Sequence, residues 1–81
     1  MTARLPNPLT ERFGANVRDA RHKRGWTQED LSDKTELAVV QVSRIERGKR
    51  EIRLSTLVRL LDGLDETPEV LLKGITRRTS D

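Results

Sequence analysis

The sequence predicts an all-α domain of five short helices, and three observations carry that expectation. Tyr is absent and Phe and Trp occur once each, and β-branched residues never alternate with polar ones over a useful length, so strand signals are missing. Apolar residues recur instead at spacings of three and four. Thr residues suited to opening a helix and Gly residues suited to closing one stand between these stretches. A chain of 81 residues holds one core. Leu, Ile, Val and Phe make up about a quarter of it, above the roughly 20% below which a chain reads as disordered.

The elements follow in order. Thr10 is placed to cap helix one, whose apolar positions Phe13, Val17 and Ala20 keep helical spacing. The basic run of Arg21, His22, Lys23 and Arg24 suits the negative end of the helix dipole, and Gly25 closes the element. Thr27 opens helix two, over residues 28–35, with Asp30 completing an approximate capping box and Glu29 in the first turn. A hinge over residues 35–38 leads to helix three, over residues 39–47, which stops at Gly48. At about 100° per residue, Val42, Ile45 and Glu46 share one side of helix three, and Val40, Ser43, Arg44 and Arg47 share the other. A charged loop over residues 49–53 precedes helix four, over residues 55–64, where Leu57, Leu60, Leu61 and Leu64 form a stripe that must be buried. Helix five begins after Thr67 as cap, with Pro68 at its first position and Glu69 favoured by the dipole, and Gly74 ends it. The folded domain is thus expected over residues 9–73, between a flexible arm over 1–8 and a flexible tail over 74–81.

Composition excludes several chemistries. The chain has no Cys and one His, which removes disulfides, thiolate metal sites and Cys nucleophiles, and His22 alone makes no zinc site. No metal and no cofactor are expected. No apolar run approaches a membrane span or a signal peptide, so a soluble, cytoplasmic protein is expected. The net charge of +3 is modest, but it segregates: residues 1–26 and 38–53 are basic and residues 27–37 are acidic. Such runs are ordinarily solvated faces; two of them flanking a tight turn can also assemble a phosphate-binding surface.

Two short helices joined by a tight turn, the second with an outward basic face, form a unit able to enter a DNA major groove about 12 Å wide. The stretch from Arg21 to Arg50 resembles the helix-turn-helix of the phage repressor and Cro-like group, the XRE family. Its most specific pieces are GWTQEDL, VSRIERGKR and LVRLLDGLDETPEVLL. The resemblance implies a compact lambda-repressor-like fold with helices two and three as the DNA-binding pair. It also implies that Val39, Val40, Gln41 and Arg44 face the bases and that Gln28 holds a phosphate at the start of helix two. Arg44 can donate twice to guanine, Val40 can pack on a thymine methyl and Gln41 can offer its amide to adenine. Ser43, Arg47, Lys49 and Arg50 suit phosphate contacts, which supply salt-sensitive affinity without base choice. Arg21 and Glu46 match the family's pair bridging helices one and three. Trp26 is read as covering the corner after helix one rather than stacking on a base, and His22 as a solvated residue. Two departures stand out: Glu36 takes the place of the usual turn glycine, and Ala38 that of the usual Ser or Thr cap.

One recognition helix reads only a few base pairs, so a twofold dimer is expected. Val70, Leu71 and Leu72 are consecutive and cannot all face one core. With Val58 and Ile75 they are read as a shared apolar patch that sets two recognition helices about 34 Å apart on a palindromic or near-palindromic site. The function expected is a transcriptional regulator resembling restriction-modification controller proteins, governed by its own concentration because the length leaves no room for an effector module. The alternatives are an antitoxin-type autorepressor that also binds a protein toxin, and a protein-interaction module on the same scaffold; contact with RNA polymerase is left open. An enzyme is not expected, since no nucleophile has an activating base and no water-excluding cleft can be built.

Overall fold

The computed structural model describes residues 8–75. Within them stand five helices: α1 (Pro8–Lys23), α2 (Gln28–Thr35), α3 (Val39–Glu46), α4 (Leu54–Leu64) and α5 (Pro68–Leu71), with no strand among the described residues. The arm predicted over residues 1–8 and the tail predicted over 74–81 lie outside this range except at their inner ends. There Pro8 already belongs to α1, and Ile75 is half-buried against the core.

Helix α1 is the hub, packing on α3, α4 and α5, while α2 packs on α3 and α4. The core draws Phe13, Val17 and Ala20 from α1, Leu31 from α2, Leu37 from the turn, Val42 and Ile45 from α3, Leu60 and Leu64 from α4, and Leu71 from α5. Leu57 and Leu61 lie half-buried beside them, so the leucine stripe of α4 faces inward as its spacing predicts. Helix α5 has only four residues and is held through Leu71, whose side chain is fully buried. Asn16 Nδ2 adds hydrogen bonds to the carbonyls of Leu71 at 2.8 Å and Lys73 at 2.9 Å.

Several local predictions are met in detail. Thr27 caps α2 with a reciprocal capping box: its hydroxyl accepts from Asp30 N at 3.0 Å and its own N–H donates to Asp30 Oδ2 at 2.9 Å. Others are corrected. Thr10 lies inside α1 rather than at its cap, and its hydroxyl donates to the Gly48 carbonyl at 2.9 Å, tying the start of α1 to the end of α3. Helix α3 ends at Glu46, with Arg47 as its C-cap. Thr67 occupies the N-cap position of α5, but its side chain makes no capping bond, and the helix stops at Leu71, before Gly74.

The turn between α2 and α3 absorbs both departures from the family pattern. Glu36 adopts a left-handed conformation, φ 63°, which costs a residue bearing a Cβ about 1–2 kcal/mol. Side chains from α2 brace it. Thr35 Oγ1 donates to the Leu31 carbonyl at 2.7 Å and accepts from Leu37 N at 3.3 Å, and Ser32 Oγ donates to the Leu37 carbonyl at 2.5 Å. Arg59 Nη1, from α4, adds a bond to the Glu36 carbonyl at 3.3 Å.

Two glycines let α1 and α3 touch backbone to backbone. A Cβ on Gly14 would lie 2.7 Å from the Glu46 carbonyl oxygen and closer still to that of Ile45, and one on Gly48, at φ 69°, would lie 2.7 Å from Glu11 Cα. Gly14→Ala should therefore lower unfolding free energy by about 2 kcal/mol or more, in line with overpacking against an unyielding backbone; chemical denaturation showing a neutral effect would contradict this close approach. Glu36→Gly should do the reverse, raising stability by about 0.5–1 kcal/mol once the lost strain is set against the entropy of a glycine, and a lowered melting temperature would count against the strain.

Candidate nucleic-acid interface

The inner face of α3 is anchored by core packing and one ion pair. Val42, Ile45 and Glu46 are buried. Arg21 Nε donates to Glu46 Oε2 at 2.6 Å and Nη2 donates to Oε1 at 2.8 Å, while Nη1 donates to the Trp26 carbonyl at 2.9 Å. The two side chains are only 10% and 2% exposed, so the pair is desolvated and both charges depend on each other. The hydrogen bonds to Glu46 and its negative charge hold the Arg21 guanidinium above its ordinary pKa, with desolvation opposing. A group raised in this way gives stability that is lost only as pH climbs past its folded value. For an arginine that lies far above neutrality, so Arg21 adds no pH dependence in the physiological range.

With that side locked, the opposite side is free. Val39, Val40, Gln41, Arg44 and Arg47 are exposed, Val40 by 54%. Ser43 is half-buried, and its carbonyl accepts from Arg47 Nε at 3.4 Å. Lys49 and Arg50 stand exposed in the following loop. Gln41, Arg44, Arg50, Glu51, Arg53 and Thr56 line an open groove of about 310 Å³ between α3 and the start of α4. Arg53, expected only as part of the charged loop over residues 49–53, stands at the N-cap of α4 and belongs to this cationic wall; its charge, one turn before the leucine stripe, is the signal that marks it.

Gln28 sits at the first position of α2, half-buried, with Nε2 donating to Glu46 Oε1 at 3.1 Å. It thus touches the anchor, which sequence spacing did not foresee. Trp26 lies half-buried against the core with the Arg24 and Lys34 cations 5.8 Å and 5.3 Å from its ring, at the corner predicted for it. His22 is exposed. Among the described residues no group of His, Asp or Glu is placed to hold a metal ion, and no helix is long and apolar enough to cross a membrane.

The candidate dimer residues divide. Val58, Val70 and Leu72 are exposed, Ile75 is half-buried against the core, and Leu71 is fully buried. Leu71, expected at the interface, is instead a core residue, and its fully buried side chain has no surface to offer a second copy. Leu54 joins the exposed apolar residues at 74%, four positions before Val58 at 49% and so on the same face of α4.

An exposed cationic helix, locked from behind and joined by a tight turn to the helix before it, defines a helix-turn-helix DNA-binding domain. The helix-turn-helix family model matches residues 17–71, and the chain belongs to this family, in its phage repressor and Cro-like (XRE) group. The restriction-modification controller protein C.AhdI from Aeromonas hydrophila is similar over 76% of this chain and 94% of its own, with 32% identity and a TM-score of 0.73. The controller protein C.Esp1396I, solved as a tetramer with its natural 35 base-pair operator, is 29% identical over 80% of this chain and 86% of its own, with a TM-score of 0.74. A hypothetical transcription factor from Neisseria, NHTF, is 31% identical over 89% of this chain and 85% of its own, with a TM-score of 0.75. No curated protein matches the chain.

Removing one partner of the anchor isolates a charge in a dry site. Glu46→Ala should lower stability by about 3–5 kcal/mol. Arg59→Ala removes only an exposed 3.9 Å ion pair and one weak bond to the turn, and should cost about 1 kcal/mol or less. Equal losses in denaturant titrations would show that the buried pair is not the anchor.

Proposed function

We propose that this protein is a sequence-specific, double-stranded DNA-binding transcriptional regulator of the controller type, acting in the cytoplasm as a twofold dimer on a palindromic or near-palindromic operator. The observation that carries the reading is the division of α3: Val42, Ile45 and Glu46 are buried, while Val40, Gln41 and Arg44 face outward beside Arg47, Lys49 and Arg50. Such a helix presents base-reading groups at its centre and phosphate-binding groups around them. Arg44 donates to guanine O6 and N7, Val40 and Val39 pack against thymine methyl groups, and Gln41 bonds a base edge. Ser43, Arg47, Lys49 and Arg50 bind phosphates and release counterions, giving affinity that falls steeply with salt. Gln28 keeps one amide hydrogen for a phosphate at the N-terminus of α2 while the other bonds Glu46. The role is non-enzymatic: positioning and electrostatics suffice for it.

The dimer places Leu54 and Val58 of α4, with Val70 and Leu72 beside α5, against a second copy. Burying these side chains offsets the small core of a short chain and doubles the number of bases read. The operator complex of C.Esp1396I, which holds four copies on 35 base pairs, supports a multi-copy mode.

Selection of bound sequences from random duplexes at two salt concentrations tests the reading. An inverted repeat with half-sites about 34 Å apart should be enriched. Arg44→Ala should cost about 1–3 kcal/mol and relax the preference at one symmetric pair of positions. Lys49→Ala should weaken all sequences alike and lower the salt slope by about one. Indifference to sequence in the unaltered protein would remove the assignment.

A further inference from the structure

Gln41 carries a task in the free protein that bears on how it reads a base. Ala38 stands at the N-cap of α3 with no side-chain acceptor, so the N–H of Gln41 turns to the Ala38 carbonyl at 2.9 Å instead of to a Ser or Thr hydroxyl. The return half of the cap is nevertheless formed: Gln41 Oε1 accepts from Ala38 N at 3.1 Å. The carboxamide oxygen is thereby turned back onto the chain. Its nitrogen, on the other side of Cδ, points away and has no partner among the described residues. One turn further on, in the same groove, lies Arg44, a side chain that only donates.

We propose that Gln41 acts on DNA as a hydrogen-bond donor alone, its acceptor being held by the uncapped start of the recognition helix, and that it selects guanine or thymine rather than forming a two-bond fork with adenine. This rests on the DNA-reading assignment above. The adenine fork needs the oxygen for N6–H and the nitrogen for N7. To make it, Oε1 must leave Ala38 and strand that N–H in a water-excluded interface, at a loss of roughly tenfold in binding. Guanine O6 and thymine O4 ask only for a donor. Adenine N7 accepts as well, but the N6 amino group beside it, like N4 of cytosine, would meet a donor where guanine offers a second acceptor. The outer face of α3 therefore combines two donor side chains, Gln41 and Arg44, with two valines, and its complement is an edge of keto oxygens and a thymine methyl.

The test uses the whole chain with Gln41→Met, which removes both amide functions, and Gln41→Glu, which keeps the acceptor and loses the donor. In the free protein, Ala38 amide exchange should be slow in the wild type and in Gln41→Glu, and about fivefold faster in Gln41→Met; equal exchange in all three overturns the cap. In sequence selection, Gln41→Met should lose preference at one symmetric pair of positions where the wild type takes guanine or thymine. Gln41→Glu should move that preference to cytosine, whose N4 amino group donates. Ala38 exchange should stay slow in the complex. Adenine at those positions overturns the proposal, above all if binding falls about tenfold when unsubstituted purine replaces it, as does Ala38 losing protection on binding DNA. Full preference retained by Gln41→Met overturns Gln41 as a reader while Arg44 reading stands. A wild type that enriches no sequence is a separate result, which sinks the DNA-reading assignment itself.

Discussion

The contact between α1 and the inner face of α3 governs this molecule. Arg21 grips Glu46 through two short bonds and reaches the Trp26 carbonyl with a third, so a single guanidinium joins α1, the corner before α2, and α3. Gly14 and Gly48 bring the backbones to contact distance around it, and the Thr10 hydroxyl closes the far end. A buried ion pair is a weak source of net stability, because desolvation consumes most of the Coulomb gain. Its value here is geometric. The planar fork admits one orientation of Glu46, hence one rotation of α3, and that rotation turns Val40, Gln41 and Arg44 outward together.

The hinge shows how a chain tolerates unfavourable local choices when tertiary groups compensate. A non-glycine residue in the left-handed region and a helix start without a capping side chain both argue against a tight turn. Thr35, Ser32 and Arg59 supply hydrogen bonds on one side of it, and Gln41 supplies one on the other. The hinge is thus held by neighbours rather than by its own propensity. The bracing from Arg59 comes from α4, so the helix bearing the outer apolar face also reaches the helix-turn-helix.

That outer face belongs to the economics of small domains. Ten buried apolar residues form the core among the described residues, and the proposed pairing through Leu54 and Val58 would add to it while coupling stability to function, because one recognition helix reads too few bases. Leu71 cannot contribute to both surfaces. Buried between α1 and α5, it anchors the short helix that displays Val70 and Leu72 beside it.

Local chemistry made much of this architecture legible from sequence. The capping box at Thr27, the stops at Gly25 and Gly48 and the periodicity of Phe13, Val17 and Ala20 depend on neighbours within a turn or two, so the helix order and most of the core followed from them. The angular position of Glu46 alone placed it on the inner face, where it lies buried. The resemblance to a known family supplied its partner Arg21 and the candidate base-facing residues. Contacts between residues distant in the chain were decided only by the tertiary structure. Thr10 has the composition of a cap, yet its hydroxyl serves Gly48 because α1 starts earlier and crosses the end of α3. Gln28 turns toward Glu46 because the anchor lies beneath it. Of three consecutive apolar residues, Leu71 faces inward because α5 is too short to bury more than one against α1. Side chains with several possible partners take the one that packing brings within reach, and spacing along the chain does not encode that choice.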